Sequence, residues 1–107
     1  MTIDELQIQS YSNSLVHGFW EGPDNQNIPT KLALIHSEVS EALEEYRNGS
    51  LDRVENGKPE GMGSELADVM IRVADLATYL RLDLSTIIKQ KQEYNRSRPY
   101  KHGGKRI

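Results

Sequence analysis

The sequence predicts an all-α domain, a four-helix bundle that works as an oligomer, and three observations carry that prediction. Apolar residues recur at helical spacing through most of the chain. Gly, Pro and Asn cluster between those stretches, and no segment makes a convincing strand. At 107 residues the chain is one domain, residues 1–107, with residues 98–107 as a basic tail too poor in apolar side chains to fold alone.

Four helices follow in order. The first opens at Thr2, because Thr2-Ile3-Asp4-Glu5 is a capping-box pattern, and closes near His17 or Gly18. Residues 18–27 form a loop rich in breakers that nonetheless holds Phe19 and Trp20. The second helix starts around Pro29 and Thr30 and runs to Arg47, where Asn48-Gly49 supplies the stop. Residues 50–63, with Gly57, Pro59, Gly61 and Gly63, read as a connecting loop. Ser64 is the expected N-cap of the third helix, which continues to about Arg81. Asp83 or Ser85 caps a fourth that must end before Pro99.

Composition narrows the function classes. The absence of Cys excludes a disulfide scaffold, a thiolate zinc site and a Cys nucleophile. No stretch is long and apolar enough to span a membrane, and the first 20 residues lack a basic n-region, so a cytoplasmic protein is expected. Charge is segregated. Residues 38–68 hold nine acids against three bases, whereas residues 88–107 hold seven bases against Glu93 alone. An acidic middle and a basic end suit cations at one place and anions at another. A metal-bound phosphate compound needs both.

The helical faces sharpen this. Leu32, Ile35, Val39, Ala42, Leu43 and Tyr46 fall within an arc of about 100° on the second helix, a core-facing stripe. Glu38, Glu41 and Glu45 share a second arc beside it, and Glu44 points away to solvent. Carboxylates three and four residues apart repel by a few tenths of a kcal/mol per pair, which a cation would relieve. The third helix is apolar around most of its circumference, from Leu66 to Leu80, so burial in a core or at a subunit interface is expected. Its exceptions, Glu65, Asp68, Arg72 and Asp75, share one stripe, and charges on a buried helix are costly unless paired or metal-bound. Glu38, Glu41, Glu65 and Asp68 offer a set of hard oxygen ligands of the kind Mg²⁺ takes, the alternative being that each pair is simply a polar flank of its helix. Arg72 and Asp75 are expected to pair with each other or to support that set. A di-iron site would need Glu-x-x-His pairs, and none occurs. His36 and His102 have no partner His at ligand spacing.

Glu38-Val39-Ser40-Glu41 followed by Glu65-Leu66-Ala67-Asp68-Val69 resembles the ExxE…ExxD signature of the MazG-like, all-α nucleoside triphosphate pyrophosphohydrolases. The likeness extends to residues 32–47 as a first metal-binding helix. Lys91-Gln92-Glu93-Tyr94-Asn95-Arg96-Ser97-Arg98 is similar to the family's fourth-helix motif, and His102-Gly103-Gly104-Lys105 to the tail of its small phage and integron-type members. Many members carry a second Glu directly before the first motif Glu, where this chain has Ser37.

The resemblance implies Mg²⁺-dependent hydrolysis of a ribo- or deoxyribonucleoside triphosphate between the α and β phosphates, with Mn²⁺ able to substitute. It implies a house-cleaning role in nucleotide pools. Glu38, Glu41, Glu65 and Asp68 would hold the metal, and Glu41, with Glu38 beside it, is the favoured base. Lys91, Asn95 and Arg98 lie on one helical face to contact phosphate or sugar, and Lys101 and Lys105 could reach a neighbouring subunit's site. Trp20 stands for either base stacking or a structural plug, with His17 and Phe19 as companions and Asn13 as a polar contact. Tyr79 and Tyr94 read as core or interface residues. The thin core and apolar third helix point to a homo-oligomer, and the resemblance favours a dimer or tetramer. The competing class is an all-α nucleic-acid-binding or regulatory module using the basic tail. Against it stand the confinement of the bases to one end and the strong acids nearby.

Overall fold

The computed structural model describes residues 1–101 and 106; the expectations resting on His102, Gly103, Gly104 and Lys105 lie outside the described residues. Helix α1 spans Ile3–Val16, α2 Ile28–Arg47, α3 Met62–Tyr79 and α4 Leu84–Arg96, with a 3-10 turn at Pro23–Gln26. The capping box forms as expected: Thr2 Oγ1 accepts from the Glu5 amide and Glu5 Oε1 accepts from the Thr2 amide, each at 3.0 Å. Asn27 caps α2 through the Thr30 amide, and Asp83 rather than Ser85 caps α4 through the Thr86 amide.

The class is all-α with one addition. Residues 50–63 are not a plain loop: β1 (Arg53–Glu55) and β2 (Lys58–Glu60) pair antiparallel, with Arg53 opposite Glu60 and Glu55 opposite Lys58. Asn56 (φ +52°) and Gly57 (φ +78°) make the turn, both left-handed as a two-residue hairpin turn requires. The start of α3 also differs from expectation. The helix begins at Met62, ahead of Ser64, whose hydroxyl donates to the Pro59 carbonyl instead. A side-chain cap is unnecessary because the Met62 and Gly63 amides donate to the carbonyls of Ser50 and Leu51 at 2.9 and 2.8 Å.

Helix α3 is the centre of the molecule, packed on α1 and α2, while α4 leans on α1 and β2 sits against α3. Ala74 and Ala77 lie buried on α3, and their small side chains let the neighbouring helices approach closely. Trp20 fills the corner beside them. Its ring stacks on Tyr79 with centroids 3.9 Å apart, and its Nε1 donates to Asp75 Oδ1 at 2.9 Å. At the same end of α3, buried Gln7 ties α1 to the α3–α4 turn. Its Nε2 donates to the Leu82 carbonyl at 2.8 Å and its Oε1 accepts from the Leu84 amide at 3.0 Å.

The buried apolar core is small: Trp20, Ala42, Ala74, Leu76 and Ala77. The expected core stripe of α2 is only partly inside, since Ala42 is buried but Leu32, Val39, Leu43 and Tyr46 face out. On α3, likewise, Leu66, Met70, Ile71 and Val73 are exposed. The apolar girth of α3 is thus half covered in one chain. The backbone is correspondingly spread, with a radius of gyration of 16.4 Å against about 13 Å for a compact chain of this length.

Gln7→Ala would strand the Leu82 carbonyl and the Leu84 amide in a part-buried turn. It should lower unfolding free energy by about 2 kcal/mol or more in denaturant titration, whereas Gln92→Ala on the exposed side of α4 should change it by less than about 0.5 kcal/mol.

Candidate metal and nucleotide site

Connectivity through the hairpin makes α2 and α3 antiparallel neighbours, so Glu38 faces Asp68 and Arg72 while Glu45 lies nearer Glu65. Carboxylate oxygens of Glu38, Glu65 and Asp68 all come within 4.8 Å of one another. Glu41 lines the same cavity, about 400 Å³, together with Lys58, Glu60 and Ser64. The structure therefore brings the four sequence-selected acids to one place, with Glu41 at the exposed rim. The donor set is all oxygen and fits a hard divalent cation.

Electrostatics separates the acids. Burial pushes Glu38 up, but the guanidinium of Arg72, donating from Nε at 2.8 Å, and hydrogen bonds with Glu65 and Glu41 outweigh it and hold Glu38 below the usual range. Burial and the neighbouring Glu38 and Glu41 push Glu65 up to about 7. Burial, then the charge of Glu38, also raises Asp68. Arg72 thus pairs with Glu38 across the helix interface and not with Asp75, which holds the Trp20 indole instead. A second trio, Glu45, Glu60 and Glu65, lies alongside, but Arg53 contacts Glu45 and Lys58 contacts Glu60, each at 3.2 Å. That trio carries its own counter-charges.

Glu38 and Asp68 also form one wall of a second cavity, about 290 Å³, which runs under Arg72 and Asp75 to Ser10, Asn13, Ser14, Phe19 and Ile71. At its floor the Ser14 hydroxyl is buried with no hydrogen-bond partner. A buried orphan hydroxyl costs about 1 to 3 kcal/mol unless something satisfies it. Sequence reading missed Ser10, Ser14 and the hairpin's Lys58 and Glu60, because small polar residues in an amphipathic helix and charges in a loop carry no motif.

The remaining expected residues fall elsewhere. Trp20 is the plug: it is 5 % exposed, stacked on Tyr79, with the Lys31 ammonium 4.3 Å from the ring centroid. Tyr79 takes one ring face, and the Trp20 side chain also lines a cavity of about 200 Å³ with Phe19, Lys31, Arg72 and Asp75. His17 bonds the Asn13 carbonyl through Nδ1 and lines neither acid-walled cavity, whereas Phe19 and Asn13 line the second. Lys91 and Arg98 gather around the exposed ring of Tyr94, at 5.3 and 5.6 Å from its centroid. Lys101 lies by Tyr100. With Asn95 they belong to the α4 side, and none of them lines either acid-walled cavity within one chain.

Because the folded pKa of Glu65 lies above its unfolded value, its ionisation opposes folding. The penalty is absent below about pH 4.5 and complete above about pH 7. In metal-free buffer the gain in melting temperature of Glu65→Gln over wild type should therefore grow between pH 5 and pH 8, and Mg²⁺ should erase it. An equal gain at both pH values would show that Glu65 titrates normally.

Comparison with family models, curated proteins and solved structures gives no match for this chain.

Proposed function

We propose that the protein is a Mg²⁺-dependent nucleoside triphosphate pyrophosphohydrolase. The observation that carries this reading is a pair of cavities with two carboxylates in common: all four acids wall one, and Glu38 and Asp68 also line a second that holds an unsatisfied hydroxyl. A metal–triphosphate suits the first and the nucleoside suits the second. The likeness of residues 38–41, 65–69 and 91–98 to the MazG-like signature supports the same assignment.

Glu38, Glu65, Asp68 and Glu41 would hold the metal, which supplies charge neutralisation of the phosphates and a more acidic bound water. The protein's own groups do the rest. Arg72 keeps Glu38 ionised and fixes its orientation. Glu41, at the exposed rim, accepts the proton of the attacking water. The water oxygen bonds the α-phosphorus as the bridging P–O bond breaks, and pyrophosphate leaves with the bonding pair. Ser14 and Asn13 offer hydrogen bonds to the nucleoside, and Phe19 an apolar surface.

Incubation with Mg²⁺ and a panel of ribo- and deoxyribonucleoside triphosphates should yield monophosphate and pyrophosphate on anion-exchange chromatography, and EDTA should abolish it. Glu41→Gln and Asp68→Asn should each lower kcat by about 100-fold or more with circular dichroism unchanged. Release of orthophosphate, or no turnover across the panel, would overturn the assignment.

The working unit in this reading is a homo-oligomer. One chain exposes 8237 Å², whereas a monomer of 12.2 kDa exposes about 6,100 Å². Leu32, Val39, Leu43 and Tyr46 on α2 and Leu66, Met70 and Val73 on α3 make two outward apolar stripes, the surface that an isologous pair of copies buries. A neighbouring copy would also offer the α4 cations a phosphate-binding role that one chain does not give them. Light scattering should return two or four times the 12.2 kDa chain mass, and Val39→Lys with Leu43→Lys should lower it toward one. A wild-type mass of one chain would remove the oligomer.

A further inference from the structure

Lys58 stands outside the carboxylate set and outside the α4 cations, yet it shares the carboxylates' cavity. It sits on β2, the strand nearest α3, and its Nζ is 3.2 Å from Glu60 Oε1. Glu38, Glu41, Glu60, Glu65 and Asp68 line the same space of about 400 Å³. Its charge acts on Glu65 and Asp68 as well as on Glu60.

The strand ladder pairs Lys58 with Glu55 beside the turn, and the base of the hairpin is tied to the helices. At one foot Arg53 Nη1 contacts Glu45 Oε2 of α2 at 3.2 Å. At the other, the Met62 and Gly63 amides donate to Ser50 and Leu51, and a Cβ on Gly61 (φ +100°) would come within 3.0 Å of the Leu51 carbonyl. The lysine side chain itself is largely exposed, about three-quarters of it, and free to swing on its four methylenes. A fixed base with a mobile ammonium is the geometry of a counter-ion that can change partners.

We propose that Lys58 is a built-in counter-ion of the carboxylate cavity, which yields those acids to a divalent cation and then contacts the β and γ phosphates of the incoming triphosphate. This rests on the metal–triphosphate reading above. Both halves follow from charge. With the metal absent, the ammonium offsets the crowding of like charges. With the metal bound, the same ammonium is repelled by the cation and attracted to the polyphosphate oxygens that accompany it. Arg72 does not serve this role, because its guanidinium is already held on Glu38 at 2.8 Å.

The two halves predict effects of opposite sign. Lys58→Met in the full chain should bind Mn²⁺ alone about threefold more tightly than wild type, read from the free-Mn²⁺ electron paramagnetic resonance signal, because a competing charge is gone. The same variant should bind inorganic tripolyphosphate in saturating Mg²⁺ about tenfold more weakly by calorimetry. Lys58→Arg should restore the second affinity. Unchanged affinities in Lys58→Met, or a parallel loss of both, would overturn the role of Lys58 while leaving the metal site in place. Failure of the wild type to bind Mn²⁺ would remove the metal site itself and this role with it.

Discussion

The ion pair between Arg72 on α3 and Glu38 on α2 is the contact on which the site's arrangement depends. The pair joins the two helices at 2.8 Å, with Glu38 largely buried. A buried carboxylate without a partner costs several kcal/mol, so the register that brings Arg72 to Glu38 is favoured over neighbouring ones. That register also sets Asp68 and Glu65 one and two turns along from Arg72, opposite Glu38 and Glu41. The single guanidinium neutralises one acid of four. Burial, and then the neighbouring Glu38 and Glu41, raise the pKa of Glu65 to about 7. A site so poised is short of positive charge, and a hard divalent cation is the species that its oxygens fit.

The rest of the fold serves that interface. Ala42 on α2 and Ala74 and Ala77 on α3 are small enough for close helix approach, and Trp20 closes the end with its indole anchored on Asp75. The same Asp75, with Arg72, lines the second cavity, so the residue that anchors the indole also borders the site. The hairpin closes the other end through Arg53 and the Ser50 and Leu51 carbonyls. Little of this is deep core. Among the described residues no large side chain is completely buried, and the stripes on α2 and α3 leave Leu32, Val39, Leu43, Tyr46, Leu66, Met70 and Val73 exposed.

Local chemistry made much of the fold legible in the sequence. The Thr2–Glu5 box, the Asn48-Gly49 stop and the Asp83 cap are short-range hydrogen-bond patterns, and each forms where it was expected. The four acids were legible for a similar reason: a spacing of three puts Glu38 and Glu41 on one ridge of α2, and Glu65 and Asp68 on one ridge of α3. The hairpin was legible but passed over. Asn56-Gly57 is the strongest two-residue turn signal, yet its flanks, Arg-Val-Glu and Lys-Pro-Glu, lack the alternation that marks a strand. Ser64 misled because it has the right chemistry for a cap at a place where backbone carbonyls had already satisfied the amides.

By itself, then, the sequence determined the helices, their caps and the clustering of acid in the middle of the chain, since these depend on neighbours within a few residues. Only the tertiary structure decided which partner each charge takes. Arg72 could have paired with Asp75 three residues on, but it crosses to Glu38, thirty-four residues away, because Asp75 is claimed by Trp20 from the loop before α2. Trp20 could have faced a ligand with both ring faces, but Tyr79 takes one of them. Such choices are settled by competition among groups far apart in sequence, and the winner is fixed by which surfaces the packed helices bury and which hydrogen bonds remain to be made there.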